Sequence, residues 1–233
     1  MVNLMERTKT GITGFDALLN GGVPSGFTVL IAGSAGSGKS LLSLQFLLMG
    51  ARAGEPGIYL TFEQDEESTL ESLGGLATEV RKHMKADKLR ILKYDPYRFQ
   101  DIIDILTSNM KQMKAKRVVI DSLSAIGLYI QDIREIRKTI VDIQNVTKET
   151  GCTTFLIAEI PSDNLRKLSR FEVEEFVADG IIVLYYTPLN NEYTRSIFIW
   201  KMRGTNHSRK IHPFKIDDNG ITVYSKEEAL VKF

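Results

Sequence analysis

The sequence predicts an α/β fold with a mostly parallel central sheet flanked by helices and an antiparallel C-terminal part. Three observations lead to this class. Short apolar runs alternate with amphipathic stretches as far as Ala158, and a glycine-rich run joins one strand directly to a helix. After Gly180, strands follow one another with only short turns between them. At 233 residues, the chain is expected to form one domain over residues 1–233.

The composition and charge of the chain do not indicate a nucleic-acid or membrane partner. Lys and Arg number 30 and Asp and Glu 29, so a net charge of +1 calls for neither a nucleic acid nor a membrane. No run approaches the ~18 apolar residues of a membrane span, and Met1–Lys9 lacks the apolar segment of a signal peptide. The single cysteine, Cys152, precedes an apolar strand and is expected to be buried and reduced. We therefore expect a cytoplasmic protein.

Elements up to Ala158 follow from hydrophobic spacing. Continuous apolar runs indicate strands, and apolar residues repeated every three or four positions indicate helices. Strands are predicted at Phe27–Ala32, Ile58–Phe62, Leu89–Leu92, Arg117–Asp121 and Phe155–Ala158. Helices are predicted at Leu41–Leu48, Glu66–Lys85 with an interruption at Gly74-Gly75, Phe99–Lys114 and Gln131–Thr150. Gly151 follows the last helix, in the position where glycine commonly ends one.

The C-terminal part reads as successive hairpins. Its strands are predicted at Ile181–Tyr186, Arg195–Trp200, Lys210–Ile216 and Ile221–Tyr224. The intervening turns contain Pro188-Leu189-Asn190-Asn191 and Asp217-Asp218-Asn219-Gly220, which are residue types that favour tight turns.

A nucleotide phosphate site is predicted between the first strand and the first helix. The run Gly33-Ser34-Ala35-Gly36-Ser37-Gly38-Lys39-Ser40 matches GxxxxGK[ST] at every fixed position, and Leu41 continues it into the helix. Such glycines let backbone N–H groups surround phosphate oxygens at a helix N-terminus. We expect ATP and Mg²⁺ here, with Lys39 on the β- and γ-phosphates and Ser40 on the metal. The alternative, a chance glycine turn with a solvated lysine, does not account for the flanking strand and helix.

Carboxylates follow three predicted strands at the edge where ligands bind in parallel sheets. Asp121 ends its strand as a Walker B aspartate does and is expected to hold Mg²⁺. Glu63 follows the strand Ile58–Phe62 and is the candidate that orients the attacking water. Glu159 is a weaker candidate for sensing the γ-phosphate; a hydrogen-bonded loop residue is an equal alternative. Asp121 could instead cap a turn, and Glu63 could be exposed beside the helix-capping charges Asp65-Glu66-Glu67.

Several ordered runs resemble the KaiC-type branch of RecA-like ATPases over about residues 8–225. The runs that carry the resemblance are Thr10–Gly26, Glu55–Gly57, Tyr59–Glu63, Ile120–Ser122, Glu172–Gly180, Trp200–Ser208, Pro213-Phe214 and Asp217–Gly220. The segment from Lys201 to His207 is the most specific, because it is similar to the K-x-R-G-T-x-H signature of that family.

The resemblance implies a RecA-like P-loop fold and a ring of identical subunits, hexameric in this family, with ATP bound between neighbours. The residues that would meet the adjacent subunit's nucleotide are Lys201, Met202, Arg203, Thr205 and His207. Lys201 and Arg203 would stabilise charge on the γ-phosphate in trans; the alternative is an ordinary basic strand end. Asp218, in the following turn, is a further candidate site residue.

The chain also departs from the family pattern. Where many members carry two adjacent glutamates, this chain has Glu63-Gln64, which leaves one carboxylate for the water. Some members phosphorylate a Ser-Thr pair before a late strand, but Glu175-Phe176 stand at that place here. Autokinase activity is therefore not expected.

Two other functions stay open at this stage. The first is a DNA-binding recombinase accessory protein, as in RecA and RadA, supported by Arg166, Lys167 and Arg170 in the loop Pro161–Arg170. Phe171 is the one aromatic residue close by that could stack on bases, and solvated surface charge is the simpler interpretation of these basic residues. The second is a nucleotide-gated signalling scaffold with little turnover. The sequence identifies no protein partner.

Overall fold

The strands and helices follow the predicted alternation. The structure is a computed structural model that describes residues 5–130, 132–160 and 167–231. The strands are β1 Arg7–Thr8, β2 Val23–Pro24, β3 Thr28–Gly33, β4 Gly57–Thr61, β5 Leu89–Lys93, β6 Arg117–Asp121, β7 Thr153–Glu159, β8 Gly180–Leu189, β9 Glu192–Met202, β10 His212–Asp217 and β11 Gly220–Val223. The α-helices are α1 Phe15–Leu18, α2 Lys39–Arg52, α3 Glu66–Glu71, α4 Ala77–Lys85, α5 Ile102–Met113, α6 Leu123–Ile126, α7 Ile133–Glu149 and α8 Glu174–Val177.

Nine of these strands form one sheet in the order β11-β10-β9-β8-β3-β7-β6-β4-β5. The six neighbouring strands β8, β3, β7, β6, β4 and β5 are parallel. Strands β9, β10 and β11 extend the sheet beyond β8 through antiparallel pairs. The predicted fold class is confirmed. Because β3 lies between β7 and β8, its C-terminal end at Gly33 faces the middle of the sheet edge where the other parallel strands also end.

Helices cover both faces of the sheet. On one face α2 and α4 pack on β3, β4 and β7, and the rings of Phe46 and Phe155 stack with centroids 4.0 Å apart. On the other face α5 and α7 bury residues such as Leu106, Ile140 and Ile143 against alternate positions of the same strands. Strands that are buried on both faces need the near-continuous apolar runs that the sequence shows.

Arg117, at the start of β6, is almost completely buried between three segments. Its Nη1 donates to the carbonyl oxygens of Lys9 at 2.9 Å and Phe46 at 2.7 Å. Its Nε and Nη2 lie 2.8 and 2.7 Å from Oε2 of Glu55, and the guanidinium carbon lies 4.6 Å from the centroid of the Phe46 ring. Arg117 thus ties α2 and the N-terminal segment to the sheet.

Some element boundaries differ from the predictions. The stretch predicted as a helix from Phe99 begins as a 3₁₀ helix, Pro96–Asp101, and α5 starts only at Ile102. Gln131, the predicted first residue of α7, lies outside the described residues; Asp132 caps that helix by accepting from Arg134 N at 2.8 Å. The short pair β1–β2 and helix α1 have no counterpart in the predictions, because such short elements are too brief for a periodic signal.

Other predictions agree with the structure. The expected interruption at Gly74-Gly75 is a 3₁₀ turn between α3 and α4, and Asp65 caps α3 by accepting from Ser68 N at 2.8 Å. Cys152 is buried at the entry to β7. In the part of the chain that the structure describes, no helix has the length and apolar character needed to cross a bilayer.

Candidate active site

The glycine-rich run forms the turn between β3 and α2. Lys39 is buried at the first position of α2, and its Nζ donates to the carbonyl oxygen of Ser34 at 2.8 Å. Gly36 and Gly38 have φ angles of +74° and +101°, which side-chain-bearing residues rarely adopt. The turn therefore has the strand–loop–helix geometry of a phosphate-binding loop. Leu41, the last residue of the predicted run, packs partly buried against the core.

The C-terminal hairpin supports this loop from outside. A Cβ atom at Gly38 would lie 3.0 Å from Cδ1 of Ile216 in β10 and 3.8 Å from Cδ1 of Ile221 in β11. The backbone N–H of Ile221 donates to Oε1 of Gln45 in α2 at 2.8 Å. The loop is thus packed between the parallel sheet and the β10–β11 hairpin.

The predicted metal ligands meet directly. Ser40 Oγ donates to Oδ2 of Asp121 at 2.7 Å, which joins the start of α2 to the end of β6. The phenol of Tyr59 donates to the same carboxylate oxygen, and burial, with the nearby Asp121, raises the pKa of Tyr59 well above its usual value. Tyr59 therefore remains a hydrogen-bond donor. It was not among the predicted site residues, although a tyrosine inside an apolar strand needs a polar partner for its hydroxyl.

A polar cleft opens beside these residues. Its volume is about 220 Å³, and its lining residues are Ala35, Gly36, Lys39, Ser40, Thr61, Glu63, Gln64, Asp121 and Glu159. Residues from the predicted phosphate loop and all three predicted carboxylates thus share one cavity. They meet because β4, β6 and β7 are parallel to β3 and end at the same edge of the sheet.

Burial and crowding perturb the charged groups of the cleft. Glu63 is exposed, as its alternative interpretation expected, yet it lines the cleft; its pKa is raised, first by partial loss of hydration and then by Glu159 and Asp121, while Lys39 partly offsets the shift. Burial lowers the pKa of Lys39 against the opposing effect of the three carboxylates. Perturbed acids and bases in one cleft are typical of catalytic sites. Glu159 is also held structurally, because its backbone N–H donates to Ser124 Oγ at 2.9 Å.

The oxygen donors suit Mg²⁺ bound together with phosphates. Ser40 and Asp121 provide a hydroxyl and a carboxylate at one point. No group of three or more His, Cys, Asp or Glu residues in the described ranges could hold a metal ion. Mg²⁺ typically takes one or two protein oxygens and completes its shell with water and substrate phosphates, so the residues fit a metal that arrives with a nucleotide.

Arg195 is a second residue at the phosphate loop that was not predicted as part of the site. From β9, its Nη2 and Nε donate to the carbonyl oxygen of Gly36 at 3.2 and 3.3 Å, and its guanidinium carbon lies 4.3 Å from the ring centroid of Tyr186. The register of β8 and β9 places Arg195 opposite Tyr186. This contact joins residues far apart in the chain, and the sequence carried no signal of it.

The segment Lys201–His207, which resembles the family signature, lies at the end of the sheet opposite to the phosphate loop. Met202 pairs with Gly180, which pairs with Val29 at the start of β3. Gly33 is four residues further along β3, or about 13 Å at 3.3 Å per residue. Lys201 and Arg203, on either side of Met202, therefore do not reach the phosphate loop of their own chain.

The remaining signature residues are held near that end of the sheet. Thr205 Oγ1 accepts from Arg7 Nη1 at 2.9 Å, and His207 Nδ1 lies 2.8 Å from the carbonyl oxygen of Ser208. Asp218 lies at the tip of the β10–β11 hairpin, where its carbonyl oxygen would be 2.5 Å from a Cβ at Gly75. Asp218 is not among the described residues that line the cleft.

The basic loop gives little support for nucleic-acid binding. Residues 161–166, including Arg166, lie outside the described residues. Lys167 forms an ion pair with Glu172, and Arg170 is exposed. The ring of Phe171 packs over Gly127 with the core rather than standing free for base stacking.

Comparisons with known proteins agree with this geometry. A family model described as "ATPase: KaiC" matches residues 8–228. A UPF0273 protein of Pyrococcus furiosus is 37% identical over 238 residues, covering 95% of each chain. The circadian clock oscillator protein KaiC of Prochlorococcus marinus is 31% identical over 95% of this chain but only 46% of its own length. Among solved structures, the crystal structure of a KaiC-like protein from Pyrococcus horikoshii is 38% identical, with a TM-score of 0.86 over 94% of this chain and 99% of that one.

Proposed function

Because the chain belongs to the KaiC family of ATPases in the RecA superfamily, we propose that it hydrolyses MgATP at interfaces between identical copies. The observation that carries this proposal is the cleft that unites Lys39, Ser40, Asp121 and Glu63. These are the parts that phosphoryl transfer to water needs: a phosphate cradle, a metal-side carboxylate and a group that orients the nucleophile.

Each residue of the cleft has a separate part in this reaction. The turn from Gly33 to Ser40 binds the phosphates through its backbone N–H groups, and Lys39 turns from Ser34 to the β- and γ-phosphates. Ser40 and Asp121 would hold Mg²⁺, which would neutralise charge on the phosphates. Glu63 accepts a hydrogen bond from the attacking water and aligns it with the γ-phosphate.

The other half of the site comes from a neighbouring copy. Lys201 and Arg203 lie at the opposite end of the sheet from their own phosphate loop. There Lys201 Nζ donates to the carbonyl oxygen of Glu175 at 2.7 Å, and the half-exposed Arg203 pairs with Asp179. Burial and the adjacent Arg203 lower the pKa of Lys201, partly offset by Asp179 and Glu175. Trp200 and Phe176 are 50% and 65% exposed in the same region, as expected for a surface that a partner covers. A head-to-tail contact of two different edges closes into a ring when its rotation permits, and we propose the hexamer of the family.

The direct test is turnover of the Glu63→Gln variant. The substitution keeps the shape of the side chain and removes its charge, so we expect steady-state ATP hydrolysis to fall by about 100-fold or more. Binding of a fluorescent ATP analogue should stay within about twofold, since the phosphate loop is untouched. Glu66→Gln is the matched control, because Glu66 is exposed at the start of α3 and outside the cleft lining.

The outcomes separate the remaining functions. Undiminished hydrolysis in the Glu63→Gln variant would contradict the role of Glu63. ATP binding without measurable hydrolysis by the unaltered protein would favour a nucleotide-gated scaffold, which Gln64 beside Glu63 mildly supports. Native mass measured with and without ATP and Mg²⁺ tests the assembly, and an active monomer would contradict an interfacial site.

A further inference from the structure

Asp179 is a buried carboxylate at the junction of four elements, far from the cleft. Its side chain is 6% exposed and stands directly before β8. Groups from β3, α7 and the end of β9 converge on its two carboxylate oxygens. A carboxylate in such a place needs several donors and a positive charge to offset its lost hydration, and Asp179 has both.

One side of Asp179 is fixed to the strand that carries the phosphate loop. Its backbone N–H donates to the carbonyl oxygen of Thr28 at 2.8 Å, and its Oδ2 accepts from the backbone N–H of Thr28 at 3.2 Å. Oδ2 also accepts from Nε2 of Gln144 in α7 at 3.1 Å. These neutral donors hold the carboxylate in one orientation relative to β3.

The other side of Asp179 holds Arg203. Nη1 of Arg203 donates to Oδ1 of Asp179 at 2.9 Å, and the backbone N–H of Arg203 donates to the carbonyl oxygen of Asp179 at 3.0 Å. The Arg203 side chain is 53% exposed. Among the described residues, Asp179 is the one side chain that accepts from this guanidinium, and a guanidinium has five N–H donors, so this half-exposed group keeps donors for a further acceptor.

We propose that Asp179 is a positioning residue that fixes the Arg203 guanidinium for the γ-phosphate of the neighbouring copy's nucleotide. This inference rests on the proposed interfacial ATPase. An arginine that must order itself at the phosphate loses rotamer freedom on binding, whereas one already held by a carboxylate does not. The same carboxylate is bonded to β3, so the position of Arg203 is set relative to its own subunit's phosphate-loop strand.

The test uses mixed assemblies of full-length variants. Asp179→Asn removes the charge that orients Arg203 and is remote from its own cleft: Asp179 is bonded to Thr28, five residues or about 17 Å along β3 from Gly33. Alone, it should hydrolyse ATP about 10–100-fold more slowly, the range seen when supporting partners of functional groups are removed. The KM for ATP should change less than the turnover. Lys148→Met is the matched control, because Lys148 also contacts Asp179 but is itself half-exposed.

Mixing distinguishes action in trans from support of the subunit's own strand. The Glu63→Gln variant has a defective cleft and a correctly held Arg203. The Asp179→Asn variant has an intact cleft and an Arg203 that is no longer held. Equal mixing of the two should restore about a quarter of the normal activity, since about one interface in four then joins two intact halves. If Asp179 merely supports its own β3, both variants have defective clefts and mixing restores nothing, which would overturn the inference.

A parallel mixture separates this inference from the proposed function. Arg203→Ala mixed with Glu63→Gln must also recover activity if the site is interfacial. Failure of that mixture would overturn the interfacial site itself, and with it the inference. Recovery there without recovery for Asp179→Asn would overturn the role of Asp179 alone. If Asp179→Asn does not fold, Asp179→Glu takes its place, since it keeps the charge and displaces the carboxylate by one methylene.

Discussion

Replacing Arg117 by methionine should cost the protein about 3 kcal/mol of unfolding free energy. The change removes a charge that is 2% exposed and keeps a side chain that can fill most of the same space. The carbonyl oxygens of Lys9 and Phe46 each lose a hydrogen bond from a charged donor. Such a bond contributes about 1.5–3 kcal/mol. The lost ion pair with Glu55 adds little, because Glu55 is 41% exposed and water can solvate it.

An opposing effect keeps the loss from being larger. The charged guanidinium is held in a buried place at a desolvation cost that methionine does not carry, and this burial lowers the pKa of Arg117. The net figure of about 3 kcal/mol corresponds to a fall in the melting temperature of about 6–12 °C for a chain of this size. The loss is expected in stability rather than in catalysis, since Arg117 and Asp121 stand at opposite ends of β6.

Urea unfolding followed by circular dichroism measures this loss. The experiment is done without nucleotide and at two protein concentrations, so that assembly does not contribute. Lys116→Met is the matched control: the neighbouring lysine is exposed, and its replacement should change stability by less than about 0.5 kcal/mol. If Arg117→Met unfolds within about 1 kcal/mol of the unaltered protein, the buried hydrogen bonds merely balance the desolvation of the guanidinium, and the reasoning is wrong.

Two further predictions concern the cleft. Tyr59→Phe removes a donor to Asp121, so the Mg²⁺ concentration that gives half-maximal turnover should rise by about tenfold; an unchanged midpoint would show that Ser40 alone orients the carboxylate. Glu159→Gln removes one of the charges that raise the pKa of Glu63, so the acid limb of kcat/KM should move to lower pH. ATP ionises identically with the unaltered protein and with the Glu159→Gln variant, so its own ionisation does not move the limb. An acid limb that stays in place or moves to higher pH would contradict Glu63 as the titrating group.

Local sequence patterns were sufficient to predict the parallel core and most of the cleft. The motif from Gly33 to Ser40 specifies a turn geometry that few other sequences adopt. Asp121 and Glu63 were found because each follows a continuous apolar run, and parallel strands bring such positions to one edge of a sheet. These predictions needed only neighbouring residues and a general rule for sheets.

The parts that were not predicted depend on contacts between distant segments. Arg195 reaches Gly36 only because β8 and β9 pair in one register, and a one-residue shift would turn its side chain to the other face. The four-element junction at Asp179 likewise depends on β8 lying next to β3. The hydroxyl of Tyr59, inside an apolar strand, indicates that it needs a polar partner, but the identity of that partner, Asp121, depends on the pairing of β4 with β6.

The place of β3 in the sheet has a consequence for motion. All six residues of β3 pair with β7, and five of them also pair with β8, so opening this strand would break two hydrogen-bond ladders at once. Such a strand belongs to the part of a protein that opens most rarely. The phosphate loop is therefore attached to a strand in the interior of the sheet, whereas β4, which also pairs on both sides and precedes Glu63, lies only one strand from the outer edge. Shape changes driven by the nucleotide would then be taken up at the two sides of the sheet, with the phosphates as the fixed point.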